Sequence, residues 1–302
     1  MVLRFGVLGT GYWAQEAHAT ALAAHPGTEL VGVWGRDPAK TGAFAARFGI
    51  RGHHDLDRLL AEVDAVAIAV PPDVQAELAL AAAAAGRHLL LDKPLALSTD
   101  AADRVAAAAA EHQLATLVFF TLRFLPEVAA WMDQATATGG WQGGGGAWMG
   151  SVFTEPGSPF AGSPWRRRKG ALWDLGPHML ALALPVFGPV ESLTAATLPP
   201  EAVDLVLHHQ GGVRSTLTLT QSAPPPAAMI RFQADGAGGK SALPPFELDH
   251  LVALEAAIGQ FVAMVAAGDT GHPCDVRLGR DTVAVLEAAE RFLAGAGGTA
   301  AS

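Results

Sequence analysis

Residues 1–36 read MVLRFGVLGTGYWAQEAHATALAAHPGTELVGVWGR, and three local patterns follow one another within them. Val2 to Leu8 is an apolar run of strand length. Gly9-Thr10-Gly11-Tyr12-Trp13-Ala14 comes next, followed by Ala-rich, helix-forming sequence through His25. Glu29 to Trp34 returns to a strand pattern. Strand, glycine turn, helix and strand in this order predict the first βαβ unit of a dinucleotide-binding fold. Gly9 permits the tight turn, Gly11 lets backbone N–H groups approach a pyrophosphate, and the small Ala14 lets the helix pack closely on the sheet. The phosphates are expected at the positive end of the helix dipole, with Thr10, Tyr12 and Trp13 completing the loop. A glycine-rich turn alone has an ordinary structural reading; its place between a strand and a helix selects the cofactor reading.

Outward from this unit the alternation continues. Pro38 starts a helix to about Phe48, Ile50 to Gly52 is a short third strand, and Asp55 caps a helix from Leu56 to Ala61. Val63 to Val70 is apolar throughout and ends at Pro71-Pro72, as a parallel strand buried on both faces should. Asp73 is expected to cap the next helix, which Gly86 ends. His88 to Leu91 is another buried strand, ending in Asp92-Lys93-Pro94. Ser98 caps a helix to about His112, and Ala115 to Phe120 is the sixth strand. Strands alternating with such helices predict a doubly wound parallel Rossmann sheet over residues 1–121.

From residue 122 the character changes. A helix runs from Pro126 to Thr138, and Gly139 to Gly146 reads as a glycine-rich connection. Strands then come consecutively at Ala147–Thr154, Val190–Leu198, Ala202–His209, Val213–Gln221 and Met229–Ala234, with Gln210-Gly211-Gly212 as a hairpin turn. A helix from Ala171 to Phe187 is inserted among them, and helices at Asp249–Ala267 and Arg280–Ala294 close the chain. The expectation for 122–302 is an α+β domain with an open, mainly antiparallel sheet that binds substrate and mediates a homodimer or homotetramer.

Composition bounds the function. The chain has 302 residues, half of them apolar and 16% charged, which excludes a disordered polymer. A net charge of −9 with interspersed signs argues against a nucleic-acid partner. No apolar run is expected to reach the roughly 18 residues of a membrane span, and Met1 to Gly9 lacks a signal-peptide layout. The single cysteine, Cys274, excludes an intramolecular disulfide and suits a reducing cytoplasm. Adjacent histidines at 53–54 and 208–209 would point to opposite faces of a strand, so no metal is expected.

Two short motifs carry chemistry. Lys93 follows a parallel strand, at the sheet end where open α/β folds bind ligands, and can donate a hydrogen bond to a substrate oxygen. A surface lysine after a strand is the other reading. In Trp173-Asp174-Leu175-Gly176-Pro177-His178, Asp174 and His178 stand four apart and would share one face of a helix. Such a pair can orient a hydroxyl and move its proton; a capping Asp beside a core His is the alternative. Before it, the loop from Glu155 to Arg166 offers Phe160 and Trp165 to cover a ring, and Arg166 to Lys169 to hold an anion. Arg123, after the sixth strand, is a further substrate candidate.

In this order the motifs resemble the glucose–fructose oxidoreductase / inositol dehydrogenase family of NAD(P)-dependent enzymes, over nearly the whole chain. The resemblance rests on the N-terminal GxGxxA, the strand ending in two prolines, Asp92-Lys93-Pro94 for a Glu-Lys-Pro motif, and Asp174-x-x-x-His178 introduced by Gly170-Ala171-Leu172. It implies a Rossmann domain followed by a substrate domain, with Lys93 and His178 as catalytic pair and Asp174 on the substrate. It also implies that Pro94 shapes the turn aiming Lys93, and that Pro71, Pro72 and Asp92 line the cofactor cleft. The chain departs from the family pattern at Asp92, at Lys169 before Gly170, and at Ala181, where an Asp is frequent.

Cofactor preference is read from Val33-Trp34-Gly35-Arg36-Asp37. Gly35 stands where an NAD-selective site carries an acid for the ribose hydroxyl, and Arg36 can hold a 2′-phosphate. The reading is NADP(H) over NAD(H), with Asp37 as the counter-reading after a one-residue shift. The expected reaction moves a hydride between nicotinamide and a secondary alcohol or ketone carbon of a sugar, inositol or related polyol. Reduction of a dihydrodiol, imine or tetrapyrrole on the same scaffold, or a non-catalytic cofactor-binding regulator, are the rival readings.

Overall fold

The computed structural model describes residues 2–297, with side chains as far as 295. The chain forms two compact units. The first comprises the residues up to Leu125 together with Leu248–Arg280; the second comprises Pro126–Glu247 together with the described residues from Asp281 onward.

In the first unit, β1 (Leu3–Leu8) leads through the glycine turn into a π-helical stretch, Ala14–Ala19, continued by α1 (Thr20–Ala24). Then come β2 (Thr28–Trp34), α2 (Pro38–Phe48), β3 (Arg51–His53), α3 (Leu56–Glu62), β4 (Ala65–Ile68), α4 (Pro72–Ala84), β5 (His88–Asp92), α5 (Thr99–Glu111) and β6 (Thr116–Phe119). The six strands are parallel in the order β3-β2-β1-β4-β5-β6, the doubly wound arrangement the alternation predicts. Every residue of β4 and β6 is buried, because helices cover both faces of the sheet. Asp37 caps α2 with Pro38 in its first turn, Asp55 caps α3, and the Ser98 hydroxyl accepts from Ala101 N–H to start α5. One start differs. Pro71, not Asp73, is the residue before α4, and Asp73 falls in its first turn. Pro72 gives up no intrahelical bond there, so the helix begins two residues earlier than a cap at Asp73 would place it.

The second unit holds α6 (Pro126–Thr138), β7 (Trp141–Met149), α7 (Pro164–Asp174), α8 (Gly176–Phe187), β8 (Val190–Leu198), β9 (Ala202–His209), β10 (Arg214–Thr220), β11 (Met229–Gly236) and β12 (Gly239–Ala242). Its sheet runs β12-β11-β7-β10-β9-β8, antiparallel except for the parallel pair β7–β10. The glycine run expected as a connection is the middle of β7. A Cβ at Gly146 would fall 2.4 Å from the Arg231 carbonyl and 2.6 Å from Met179 of α8, so absent side chains let helix and sheet close up. Leu205, Leu207, Leu217, Leu219 and Phe232 point into this core, each at most 2% exposed. The intervening Asp204, Val206, His208, Arg214, Thr216 and Thr218 are partly or fully exposed, and the face they form is polar rather than apolar.

Segments 1–121 and 122–302 are therefore not the compact units. The chain comes back to the first one in α9 (His250–Ala267), capped by Asp249, which buries Ala253, Leu254, Ala257, Ile258, Phe261 and Met264 and sets Phe261 at 5.7 Å from Phe5 of β1. Burying the four large side chains of that stripe is worth about 6–12 kcal/mol of transfer free energy, ample to fix where the helix docks. The last helix, α10, spans Val276–Gly297.

Two segments reach membrane-spanning length and hydropathy, contrary to the sequence expectation: Pro164–Phe187 and His250–Ala267. The first is α7 with α8, and 83% of its most apolar 18-residue stretch is buried. The second is α9, whose apolar stripe packs on the parallel sheet. Composition alone does not separate such core helices from spans.

Candidate active site

The turn after β1 has the geometry a pyrophosphate loop needs. Gly9 adopts φ +125°, and a Cβ there would meet the Ala69 carbonyl oxygen at 2.4 Å. Its N–H donates to Trp34 O at 2.9 Å, tying the turn to the end of β2. A Cβ at Gly11, by contrast, would meet no heavy atom within 4 Å, so backbone is approachable on that side. The residues present fit a dinucleotide. Ala14 is fully buried against the sheet, Tyr12 is exposed, and Trp13 lies 5.1 Å from the His250 ring.

At the end of β2, Gly35 is closed to any side chain. A Cβ would fall 2.6 Å from Thr10 Cγ2 and 2.7 Å from Thr41 Oγ1, and the Thr41 hydroxyl is itself anchored on Asp37 O at 2.8 Å. Arg36 next to it is exposed, with no hydrogen bond or ion pair to its guanidinium among the described residues. Asp37 is committed elsewhere: its Oδ1 accepts from Ala39 N–H (3.0 Å) and Lys40 N–H (3.2 Å) as the cap of α2.

At the end of β5, Asp92 Oδ1 accepts from Lys93 N–H at 2.7 Å. The turn through Pro94 is gripped by Gln75, a residue of α4 only 1% exposed. Its Nε2 donates to Asp92 O (2.7 Å), Pro94 O (2.9 Å) and Leu95 O (3.2 Å), while its Oε1 accepts from Asp92 N–H (3.1 Å). Pro71 and Pro72 begin the same helix. Behind Asp92 lies His18 of the π-helical stretch, wholly buried, with Nε2 at 3.7 Å from Asp92 Oδ2 and no hydrogen-bond partner on either ring nitrogen among the described residues. Arg123 stands in the 3₁₀ turn Thr121–Phe124 after β6. Burial and then its positive charge hold the nearby His272 imidazole below its usual value.

In the second unit, Asp174 is the last residue of α7 and His178 lies in α8; the two helices meet at Leu175, so the expected single helix is in fact two. Pro177 supplies no N–H at this junction, and Gly170, at φ +63°, kinks α7 just before Ala171. Asp174 is 4% exposed, and its Oδ2 accepts from Arg166 Nε at 2.9 Å and from Gln221 Nε2 at 2.6 Å. Gln221, fully buried just after β10, is anchored by its own N–H to Glu201 Oε1 at 2.8 Å. Arg166 also lies over the rings of Phe160 (4.5 Å) and Trp165 (4.9 Å). Of the basic run, Arg166 thus reaches Asp174, with the aromatic loop packed against its guanidinium. Lys169 pairs with Glu290 at 2.7 Å, and Arg167 donates to Ala161 O at 2.6 Å. The His178 ring sits 5.1 Å from that of Trp148.

Gln75, Gln221, His18 and Thr41 had no signal in the sequence, because an isolated amide, imidazole or hydroxyl in an apolar helix or strand matches no spacing rule. Among the described residues no group of three His, Cys, Asp or Glu side chains could hold a metal ion. Burial pushes the Cys274 thiol up to about 11, which keeps it protonated and unreactive.

Fold and site together define a protein with a dinucleotide-binding Rossmann unit and a second, α+β unit. Residues 3–120 match the model for the oxidoreductase family with NAD-binding Rossmann fold, and residues 147–241 match the GFO/IDH/MocA C-terminal domain. The chain belongs to this family. It is 32% identical over 204 residues to an uncharacterised oxidoreductase of Synechocystis sp., a match covering 64% of this chain and 53% of that protein. It is 34% identical over 126 residues to the UDP-N-acetylglucosamine 3-dehydrogenase of Acidithiobacillus ferrooxidans, covering 42% of this chain and 39% of that one. The chain therefore spans about half or less of the length of these relatives. A solved structure of UDP-N-acetylglucosamine 3-dehydrogenase from A. ferrooxidans superposes with a TM-score of 0.80 over 97% of this chain and 99% of the other, at 24% identity, which shows the shared fold.

Proposed function

We propose that the protein is an NAD(P)-dependent oxidoreductase interconverting a secondary alcohol and a ketone on a sugar, inositol or related polyol. The observation that carries the reading is the buried Asp174 carboxylate, held by Arg166 and Gln221 with His178 one turn onward, in the chain that also presents Lys93 on a clamped turn. When bound, the nicotinamide supplies the redox chemistry. Asp174 orients a substrate hydroxyl and His178 takes or returns a proton, while Lys93 donates a hydrogen bond to a substrate oxygen. Phe160 and Trp165 bound the ring side of the substrate. The relative named for a 3-dehydrogenase of a nucleotide sugar supports a sugar hydroxyl as the reacting group.

NADP(H) is the favoured cofactor in this reading. Three facts support it: Gly35 admits no carboxylate, the Arg36 guanidinium is uncommitted, and the Asp37 carboxylate is spent on capping α2. Arg36→Ala is expected to weaken NADPH about tenfold and NADH less than twofold, since a bidentate guanidinium–phosphate contact is lost only from the former. Equal losses would remove the preference.

The test begins with NADPH and NADH titrations read by tryptophan-to-nicotinamide energy transfer. Turnover is then screened on glucose, myo-inositol and UDP-N-acetylglucosamine. Lys93→Ala and His178→Ala should each abolish turnover while cofactor still binds; a protein whose function survives both is a cofactor-binding regulator instead. Self-association through the second unit's sheet belongs to the same proposal, and a monomer in light scattering removes it.

A further inference from the structure

We propose that Gln75 is a positioning residue that fixes the backbone on both sides of Lys93 and so aims its ammonium group. The inference rests on the reading of Lys93 given above. The turn after β5 places backbone groups out of water: Pro94 has no N–H, and the carbonyls of Asp92, Pro94 and Leu95 are part-buried or buried where Gln75 meets them. Unpaired buried carbonyls are costly, so some side chain must supply donors. Gln75 does so from the adjacent crossover helix, its Nε2 donating to all three oxygens. Its amide is used from both ends, with the oxygen taking the Asp92 N–H at 3.1 Å and the two nitrogen-bound protons shared among three acceptors.

The placement of these bonds is what makes the residue more than a packing amide. Two fall on Asp92, before Lys93, and two fall on Pro94 and Leu95, after it. Lys93 itself gives its N–H to Asp92 Oδ1 at 2.7 Å, so the Cα from which its side chain springs is pinned within the bracket. A glutamate in place of Gln75 would keep the acceptor but lose both donors. A methionine would keep the shape and lose everything polar. Removing the bracket lets the turn relax, and a displacement of about 1 Å at a reacting group costs on the order of a hundredfold in rate.

The chain has four lysines, Lys40, Lys93, Lys169 and Lys240, which makes the test direct. The 302-residue chain is reductively methylated with ¹³C, and the Lys93 resonance is identified by its loss in Lys93→Arg. In Gln75→Met the Lys93 resonance and its response to saturating NADPH should change, while those of the other three lysines stay put. Hydrogen exchange across Asp92–Leu95 should rise about tenfold, as the loss of a hydrogen bond of ordinary strength implies. On whichever sugar turns over, kcat should fall about 10–100-fold with KM within threefold. Should Gln75→Met prove too unstable to purify, Gln75→Glu serves the same test. A folded variant in which the Lys93 resonance and the exchange of the turn match the unsubstituted protein would overturn the clamp. Full turnover in Lys93→Met would instead overturn the role of Lys93, and the resonance and exchange data would still decide what Gln75 holds.

Discussion

The turn carrying Lys93 and the carboxylate of Asp174 are both fixed by side chains, but with opposite electrostatics. At the turn, one neutral amide meets neutral backbone groups. At Asp174, a buried anion is balanced by a guanidinium and an amide on the same oxygen. Neutral bonds of the first kind contribute about 1 kcal/mol each and fail gradually when one is lost. A buried ion pair contributes little net stability when whole, yet leaves an uncompensated charge when halved. One arrangement therefore tolerates damage, and the other is all or nothing. A third case, the glycine turn, is shaped by steric exclusion around Gly9, with the Gly9 N–H bonded to Trp34 O.

The largest effect should come from that turn. Gly9→Ala forces a Cβ to within 2.4 Å of a backbone oxygen at φ +125°. It should cost about 3 kcal/mol or more and abolish NADPH binding, read by thermal midpoint and titration. A variant that binds normally would show the turn to be plastic.

Next comes the halved ion pair. Arg166→Met should destabilise by about 3 kcal/mol, while Arg166→Met with Asp174→Leu should recover most of that stability without recovering turnover. Additive losses in the double variant, measured by denaturant unfolding, would make Asp174 no different from the neutral turn.

The smaller effect is in pH. Burial is the main cause holding His53, His88, His209 and His272 below the usual histidine value. His209 shows why: it is 1% exposed, and the bond between Nδ1 and Gly188 O at 2.7 Å only partly offsets the effect of that burial. Because the folded values are depressed, the unfolded chain binds more protons once the pH drops below about 6.5, the ordinary histidine value. Stability is thus complete above that pH and is lost as the pH falls through the folded values. The thermal midpoint should fall by several degrees between pH 7.5 and 5, and His209→Gln should flatten the slope. The Gln75 bonds, made by a neutral amide to backbone groups, should keep their exchange protection over the same range until the whole unit unfolds.

Much of the fold could be read from local pattern. The βαβ order, the caps Asp55 and Ser98, and the doubly buried strands depend on residues within a few positions of one another. The candidate site was legible where motifs are contiguous, at Gly9 to Ala14, Asp92 to Pro94 and Asp174 to His178. It was illegible where a partner lies far along the chain, as Gln75 does from Leu95 or Gln221 from Asp174. The glycine run of β7 shows a related failure: read locally it is a flexible link, yet opposite β10 and β11 it is the strand that can approach closest.

By itself the sequence determined the parallel sheet and its cofactor turn, because backbone conformation at a glycine or a cap is fixed by immediate neighbours. It also specified which residue types are available for proton transfer. Only the tertiary structure decided that α9 docks on the first unit, that β7 runs parallel to β10, and that Arg166 and Gln221 converge on Asp174. Those choices depend on burial and hydrogen-bond satisfaction among distant segments, and no spacing in a linear chain encodes which distant donor will reach a given buried oxygen.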